Sequence, residues 1–196
     1  ARLEPAAPAT ELLGRRLATA PATVERERSS DLEGLWFRAD HDGYLARFGI
    51  MVTRRLQLSG GGADLRGEDS LTCPSLRARQ RFDTMADSST IPFCVRFHLA
   101  PAVAAEMDGK AVLLRMPDGS LWRFSGSGGQ VRVVESVWID TAARRARPTD
   151  QIVLHGEARA YFGRVTWSLA QVETNTPGKL VLGGPSAAGI DRGTRV

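Results

Sequence analysis

The stretch IMVTRRLQLSGGGADLRGEDSL, residues 50–71, decides the fold, because it holds two strand patterns on either side of a glycine-rich turn. Apolar and polar residues alternate before the turn, as in a β-strand with one buried face. Arg54 falls on the apolar face, and an arginine among apolar neighbours needs a partner. The stretch therefore predicts a β-hairpin whose strands also pair through charge.

One register of this hairpin accounts for both its apolar and its charged residues. If Leu58 faces Leu65, the other cross-strand neighbours follow from antiparallel pairing. The charged neighbours are then Arg54–Asp69 and Arg55–Glu68. Each such pair contributes about 0.2–1 kcal/mol and helps to fix the register. The alternative is that the two arginines bind an anionic substrate.

The remainder of the chain carries further strand patterns, separated by turns rich in glycine, proline and serine. A single long strand, bent at Gly49, is predicted to lead into the hairpin from Gly43. The other predicted strands are TVERERS, GLWFRAD, IPFCVRFHL, AVLLRM, LWRFSG, VRVVESVWID, QIVLHGEA and RVTWSLAQV. Residues 73–90 and 144–150 read as long, arginine-rich loops. With no convincing amphipathic helix, the pattern predicts an all-β fold, an antiparallel β-sandwich of two packed sheets without a substantial helix.

The composition divides the chain into three parts. Residues 1–22 are rich in alanine and proline and read as an irregular lead-in. Residues 23–172 form the predicted β-sandwich domain. Residues 173–196 read as a loose C-terminal tail. The sequence begins with alanine rather than methionine, so we expect a processed protein or a piece of a longer one.

The bulk composition limits the classes of function. The chain has 196 residues and a net charge of +4, which suits one domain and favours an anionic partner. No apolar run approaches the roughly 18 residues of a membrane span. No recognition helix or zinc-ligand spacing indicates nucleic-acid binding. Cys73 and Cys94 are compatible with one disulfide or with two free thiols.

His41-Asp42-Gly43-Tyr44 is the segment with the most chemical potential. An aspartate beside a histidine can orient the imidazole, but the spacing matches no metal-site or hydrolase signature. His41 is therefore either a ligand or catalytic residue, or a polar residue where a strand begins. The other histidines, His98 and His155, fall in separate predicted strands.

Two further groups of residues have alternative interpretations. The loop arginines form either a solvated surface or, if the two loops share one edge, a patch for a polyanion. These arginines are Arg77, Arg79, Arg81, Arg144, Arg145 and Arg147. The tryptophans fall in strands, where they serve either in packing or as a platform for sugar stacking. They are Trp36, Trp122, Trp138 and Trp167.

The segments HDGY, RRLQLS, LRGED and RFHL, in this order, resemble the C-terminal β-sandwich of bacterial heparinase II/III-like polysaccharide lyases. The resemblance covers roughly residues 1–172. It implies an upstream α/α toroid domain in the same polypeptide and cleavage of acidic, uronic-acid polysaccharide by β-elimination. In this family a tyrosine or histidine takes the C5 proton, and some members hold a metal through His and Asp. The resemblance places these groups before residue 1, so it supplies no catalytic and no metal residue here.

The resemblance therefore implies a domain that packs against the toroid and forms one wall of the substrate cleft, inactive as a lyase by itself. Its candidate substrate contacts are His41, Tyr44, Arg47, Arg54 and Arg55. It implies no cofactor in this chain, a divalent metal in the full-length protein, and a periplasmic or cell-envelope location, with the cytoplasm left open. The alternatives are a free-standing carbohydrate- or protein-binding module and a purely structural domain.

Overall fold

The computed structural model describes residues 2–5, 21, 23–87, 89–140 and 145–172. Within them the chain forms twelve strands and two short helices. The strands are β1 Arg2–Pro5, β2 Val24–Ser30, β3 Gly34–Tyr44, β4 Ile50–Ser59, β5 Asp64–Thr72, β6 Thr90–His98, β7 Ala104–Asp108, β8 Ala111–Arg115, β9 Leu121–Ser127, β10 Gly129–Asp140, β11 Arg145–Arg159 and β12 Phe162–Gln171. The helices are α1 Leu45–Phe48 and α2 Leu76–Met85.

The strands pair antiparallel in two sheets that are joined at one tight hairpin. The small sheet has the order β1-β6-β11-β10. The large sheet has the order β2-β3-β4-β5-β12-β9-β8-β7. β11 and β12 pair only at Arg159 and Phe162, where the chain passes from one sheet to the other. The predicted all-β antiparallel sandwich is confirmed.

The core lies between the two sheets and is closed by aromatic rings. The ring of Phe97 on β6 lies 4.9 Å from Phe124 on β9 and 4.7 Å from Trp167 on β12, measured between centroids. Edge-to-face contacts at such distances add stability beyond the buried area. The predicted core face of β6 is observed, since Ile91, Phe93 and Val95 are buried. The alternation of IPFCVRFHL thus set which side of this strand meets the other sheet.

The β4–β5 hairpin has the predicted register. Leu58 pairs with Leu65. Gly67, two residues further along β5, faces Trp167 of β12. A Cβ at Gly67 would lie 2.2 Å from two carbons of the indole ring, so only glycine leaves room for the tryptophan. The Trp167 ring therefore packs directly against the backbone of Gly67.

Two segments predicted as strand or loop are helical instead. The chain before β4 is not a bent strand but the short helix α1, which ends at Gly49 with φ of 70°. A Cβ at Gly49 would lie 1.9 Å from the carbonyl oxygen of Ala78 in α2, so glycine lets the two helices meet. α2 replaces the loop predicted for residues 73–90. Ser75 caps it by accepting the N–H of Ala78, and Ala78 and Phe82, one turn apart, are buried. A two-residue apolar stripe is too short to give a clear helical period.

Other boundaries also differ from the prediction. Residues 2–5, part of the predicted irregular lead-in, form β1 and pair with β6. Residues 145–150, predicted as a loop, pair with residues 135–140 of β10, because backbone hydrogen bonds form regardless of side-chain polarity. β7 falls where no element was predicted. The predicted tail, residues 173–196, lies outside the described residues.

The packing of Gly67 against Trp167 gives a stability prediction. Gly67→Ala should lower the free energy of unfolding by about 1–3 kcal/mol, because the new methyl group overpacks a closed site. Gly61→Ala is the matched control, since a Cβ there meets nothing within 4 Å. Denaturant unfolding followed by tryptophan fluorescence measures both. Equal stability of the two variants would contradict the role assigned to Gly67.

Candidate functional site

Asp69 is the centre of a buried polar network on the core side of the large sheet. Its carboxylate is fully buried. Oδ1 accepts a hydrogen bond from Arg54 Nε at 2.6 Å, and Oδ2 accepts one from Trp167 Nε1 at 3.0 Å. Both carboxylate oxygens are therefore satisfied, as a buried charge requires. The charge pattern predicted Arg54, but Trp167 was missed, although its alternation with Val165 places it on the same face.

Glu68, next to Asp69, points to the opposite side of the sheet. It accepts from Arg55 Nη1 at 2.7 Å and lies 2.6 Å from Arg164 Nη2. Both ion pairs predicted for the hairpin are thus present, one on each face. The one on the outer face also includes Arg164 of β12. Such exposed pairs contribute little to stability individually.

His41 and Tyr44 are in ring contact where β3 ends, and Arg47 lies on α1 against Phe48, whose ring Tyr44 also contacts. The His41 and Tyr44 rings are 5.7 Å apart between centroids. The Arg47 guanidinium lies 5.5 Å from the centroid of the buried Phe48 ring, in a cation–π arrangement. The cluster holds an imidazole, a phenol and a guanidinium, which can take part in hydrogen bonding to sugar hydroxyls and carboxylates.

The environment of His41 favours its neutral form. Burial lowers its pKa below the ordinary 6.5, and the nearby Arg54 guanidinium lowers it further, while Asp42 opposes both. The N–H of Gly43 donates to Nδ1 at 3.3 Å. Nδ1 is therefore an acceptor, and this hydrogen bond assigns the proton to Nε2. At neutral pH His41 can act as a hydrogen-bond donor through Nε2.

The five candidate contact residues consequently lie on both faces of the large sheet and at the end of β3. His41, Tyr44 and Arg47 form the cluster at the end of β3. Arg54 lies against Asp69 inside the sandwich, with 21% of its side chain exposed. Arg55 lies on the outer face of the large sheet. The structure does not bring all five into one site.

The loop arginines do not form one patch. Arg77, Arg79 and Arg81 lie on α2, which packs near Tyr161, where Arg79 lies over the ring and Asp83 accepts from its hydroxyl. Tyr161 follows the end of β11 at Arg159. Arg147 lies twelve residues before that end, and at the rise of a strand this separates Arg147 from Arg159 by about 40 Å. The described arginines of the two groups therefore do not share the edge that a polyanion patch would need. Arg144 lies outside the described residues.

The cysteines are buried free thiols in two different places. Burial raises the pKa of Cys73. Cys94 Sγ lies 3.2 Å from Nδ1 of His155 on the neighbouring strand, and burial lowers the pKa of that histidine. Within the described ranges, no three His, Cys, Asp or Glu side chains are grouped so that they could hold a metal ion. No helix in the same ranges is long and apolar enough to cross a membrane.

Comparison with known proteins gives the family. The model of the family described as "Heparinase II/III-like, C-terminal" matches residues 7–168, most of the chain. The chain belongs to this family. As a heparinase II/III-like C-terminal domain, it has the fold of solved lyases. It aligns with the heparan sulfate lyase HepC from Pedobacter heparinus at a TM-score of 0.59 and 8% identity, covering 78% of this chain and 22% of that one. It aligns with heparinase III at 0.58 and 9% identity, covering 81% and 22%.

A relative of higher sequence identity has a name that refers to localization rather than to lyase activity. The domain is 35% identical over 164 residues to FtsZ-localized protein C from Caulobacter vibrioides. That match covers 82% of this chain and 27% of the relative. The chain thus spans about a quarter of the length of the proteins it matches.

Removal of the charge on Asp69 should destabilise the domain strongly. Asp69→Asn leaves Arg54 without its counter-ion, and breaking a buried ion pair costs about 3–5 kcal/mol. Glu68→Gln, on the exposed face of the same strand, should cost less than about 1 kcal/mol. Urea unfolding of both variants measures the difference. Similar losses in the two variants would show that the Asp69 network is not a special constraint.

His41 should make the domain less stable in mild acid. Because its folded pKa is lowered, the unfolded chain binds a proton more readily as the pH falls below about 7, and stability decreases through that range. His41→Gln should therefore give a shallower loss of melting temperature between about pH 7.5 and pH 5.5. A variant with the same slope as the natural chain would refute this linkage, and above about pH 8 the histidine should make no difference by protonation.

Proposed function

We propose that this chain is the C-terminal sandwich of a longer protein that cleaves uronic-acid polysaccharide by β-elimination. In that protein it packs against a preceding α/α toroid and forms one wall of the glycan cleft, without supplying the main catalytic groups. The observation that carries this proposal is the match to the C-terminal family together with the lyase fold over only 22% of each solved chain. The remaining length of such proteins leaves room for the catalytic domain.

An open apolar surface supports the packing role. Leu35 and Phe37 on β3 are in register with Leu58 and Leu56 of β4, on the core-facing side, yet both are exposed. Val24 of β2 is exposed on the same side. Apolar residues on the inner side of a sheet favour contact with another protein surface. The preceding domain of the same polypeptide is the partner that we propose for it.

The His41 cluster supports the cleft role. His41 lies on the same side of the sheet as this apolar surface, opposite Val52. A domain packed there would place the cluster at the edge of the contact. Arg47 offers a guanidinium for a uronate carboxylate, and Tyr44 and His41 offer donors for sugar hydroxyls. These residues would orient the glycan rather than react with it.

Two further features belong to the full-length protein in this proposal. The divalent metal implied by the family would be held in the preceding part of the polypeptide rather than by the described residues of this chain. A substrate of this class also favours a periplasmic or cell-envelope location. Neither an α-helical anchor nor a metal is needed for the role of the sandwich itself.

A second candidate is a non-catalytic binding module. It is favoured by the 35% identity to FtsZ-localized protein C, whose name gives a cellular location rather than a reaction. In this case the same exposed surfaces would bind a protein or glycan without cleaving it. Enzyme activity of the full-length protein separates the two candidates.

The test compares the natural full-length protein with this chain alone on heparin, heparan sulfate and alginate. Formation of unsaturated uronate, followed by absorbance, is expected from the full-length protein and not from this chain. Arg47→Ala in the full-length protein should lower kcat/KM about tenfold, through loss of one charge-assisted contact. Arg77→Ala, on the exposed side of α2, is the matched control.

Three outcomes would contradict the proposal. Activity from this chain alone would show that it contains the catalytic groups. An inactive full-length protein would favour the binding-module candidate. Equal kcat/KM of the Arg47→Ala and Arg77→Ala proteins would show that the His41 cluster does not contact the glycan in the cleft.

A further inference from the structure

The outer face of the large sheet carries an open trough of about 520 Å³. It runs across β3, β4, β5, β12 and β9, on the side opposite the core. The β-pairing lines up two rows of side chains along it. One row is Trp36, Gln57, Arg66, Ser168 and Ser125; the other is Arg55, Glu68, Thr166 and Ser127.

A second depression extends the trough over β2. It has a volume of about 380 Å³ and shares Trp36 and Arg55 with the first. Both volumes fall in the range of small-ligand sites. The two together form a path across six strands, long enough for more than a single sugar ring. Such a shape suits a chain-like ligand better than a compact one.

Trp36 supplies an apolar platform in this otherwise polar trough. The residue is 36% exposed, and Nε1 donates to Asp31 Oδ2 at 2.9 Å. That hydrogen bond satisfies the polar edge of the indole and fixes its orientation. The exposed ring face is then available for the C–H groups of a pyranose ring. A fixed aromatic loses little conformational entropy when a ligand stacks on it.

The charged residues in the trough, together with Arg164 and Asp64 beside it, present guanidinium groups to the solvent. Glu68 is bonded by both Arg55 and Arg164, and Asp64 lies 2.8 Å from Arg66 Nη2. The three arginine side chains are 51%, 55% and 66% exposed, whereas Glu68 and Asp64 are only 22% and 28% exposed. Three guanidinium groups therefore lie over two carboxylates, with donors to spare.

This asymmetry selects the chemistry of the ligand. Guanidinium groups bind carboxylate and sulfate oxygens through paired, charge-assisted hydrogen bonds. The β2 end, in contrast, contributes the carboxylates of Glu27 and Asp31. An anionic substituent is thus favoured at the β5 end, near Arg66. The serine and threonine hydroxyls of β9 and β12 provide donors and acceptors for ring hydroxyls.

We propose that this trough is a binding site for an acidic oligosaccharide, with one pyranose ring stacked on Trp36 and a carboxylate or sulfate held by Arg66 and Arg55. It is distinct from the His41 cluster, which lies at the end of β3 on the core-facing side of the sheet. The ligand class follows from the side chains of the trough, and a second contact of the sandwich with the same polymer rests on the proposed function. It would hold the polysaccharide outside the cleft.

The test is titration calorimetry of the 196-residue chain with size-defined heparan sulfate and alginate oligosaccharides at low ionic strength. Trp36→Ala should weaken binding about tenfold or more, and Trp36→Phe should recover part of the loss. Trp138→Ala is the matched control, because that residue is 37% exposed on β10, in the other sheet. Arg66→Gln should weaken binding of acidic oligosaccharides but leave that of a neutral chito-oligosaccharide nearly unchanged.

The outcomes separate this inference from the proposed function. Unchanged affinity in both Trp36→Ala and Arg66→Gln would contradict the proposed binding site. A loss of affinity in Trp138→Ala equal to that in Trp36→Ala would also contradict it. So would the absence of binding to any acidic oligosaccharide. Trough-dependent binding by a protein whose full-length form lacks lyase activity would overturn the proposed function alone. Circular dichroism of each variant confirms that it is folded, and Arg66→Gln tests the site independently of the tryptophan.

Discussion

The buried carboxylate of Asp69 is the constraint on which the large sheet depends. It accepts hydrogen bonds from Arg54 of β4 and Trp167 of β12, so one side chain links three neighbouring strands. A slip of one residue in either pairing would turn the carboxylate or its partners to the other face. The charge would then be buried without a counter-ion, which is far more costly than the loss of an exposed pair. Register in the middle of the sheet is therefore set by electrostatics as well as by apolar burial.

This register also creates the outer trough. With Gly67 facing Trp167 on the core side, the residues on either side of them in β5 and β12 point outward together. Arg66 and Glu68 thereby join Ser168 and Thr166 on one surface, and Trp36 is added from β3 through β4. The polar network inside and the polar trough outside are two consequences of the same strand alignment. A change in register would remove both.

The helix and the strand segments that the local sequence pattern did not predict have weak or absent periodicity. α2 rests on a stripe of only Ala78 and Phe82, which gives too weak a period to distinguish a helix from a loop. β11 begins at Arg145, inside a polar segment that was predicted as a loop, because pairing with β10 satisfies its backbone. The hairpin register, by contrast, was predictable, since two charged pairs and the apolar pair Leu58–Leu65 agreed on one alignment. Agreement between independent local signals is what made that prediction specific.

The all-β class, the core face of β6, the β4–β5 register and its two ion pairs were predictable from the sequence, because alternation and charge act between residues a fixed number of steps apart. The sequence also indicated the family through the order of its motifs. Sheet order in the folded chain decided that Trp167 joins Arg54 at the Asp69 carboxylate, and that Trp36 and Arg66 share a trough. Those relations join strands that are distant in the chain. Their distances depend on sheet order, which no local pattern encodes.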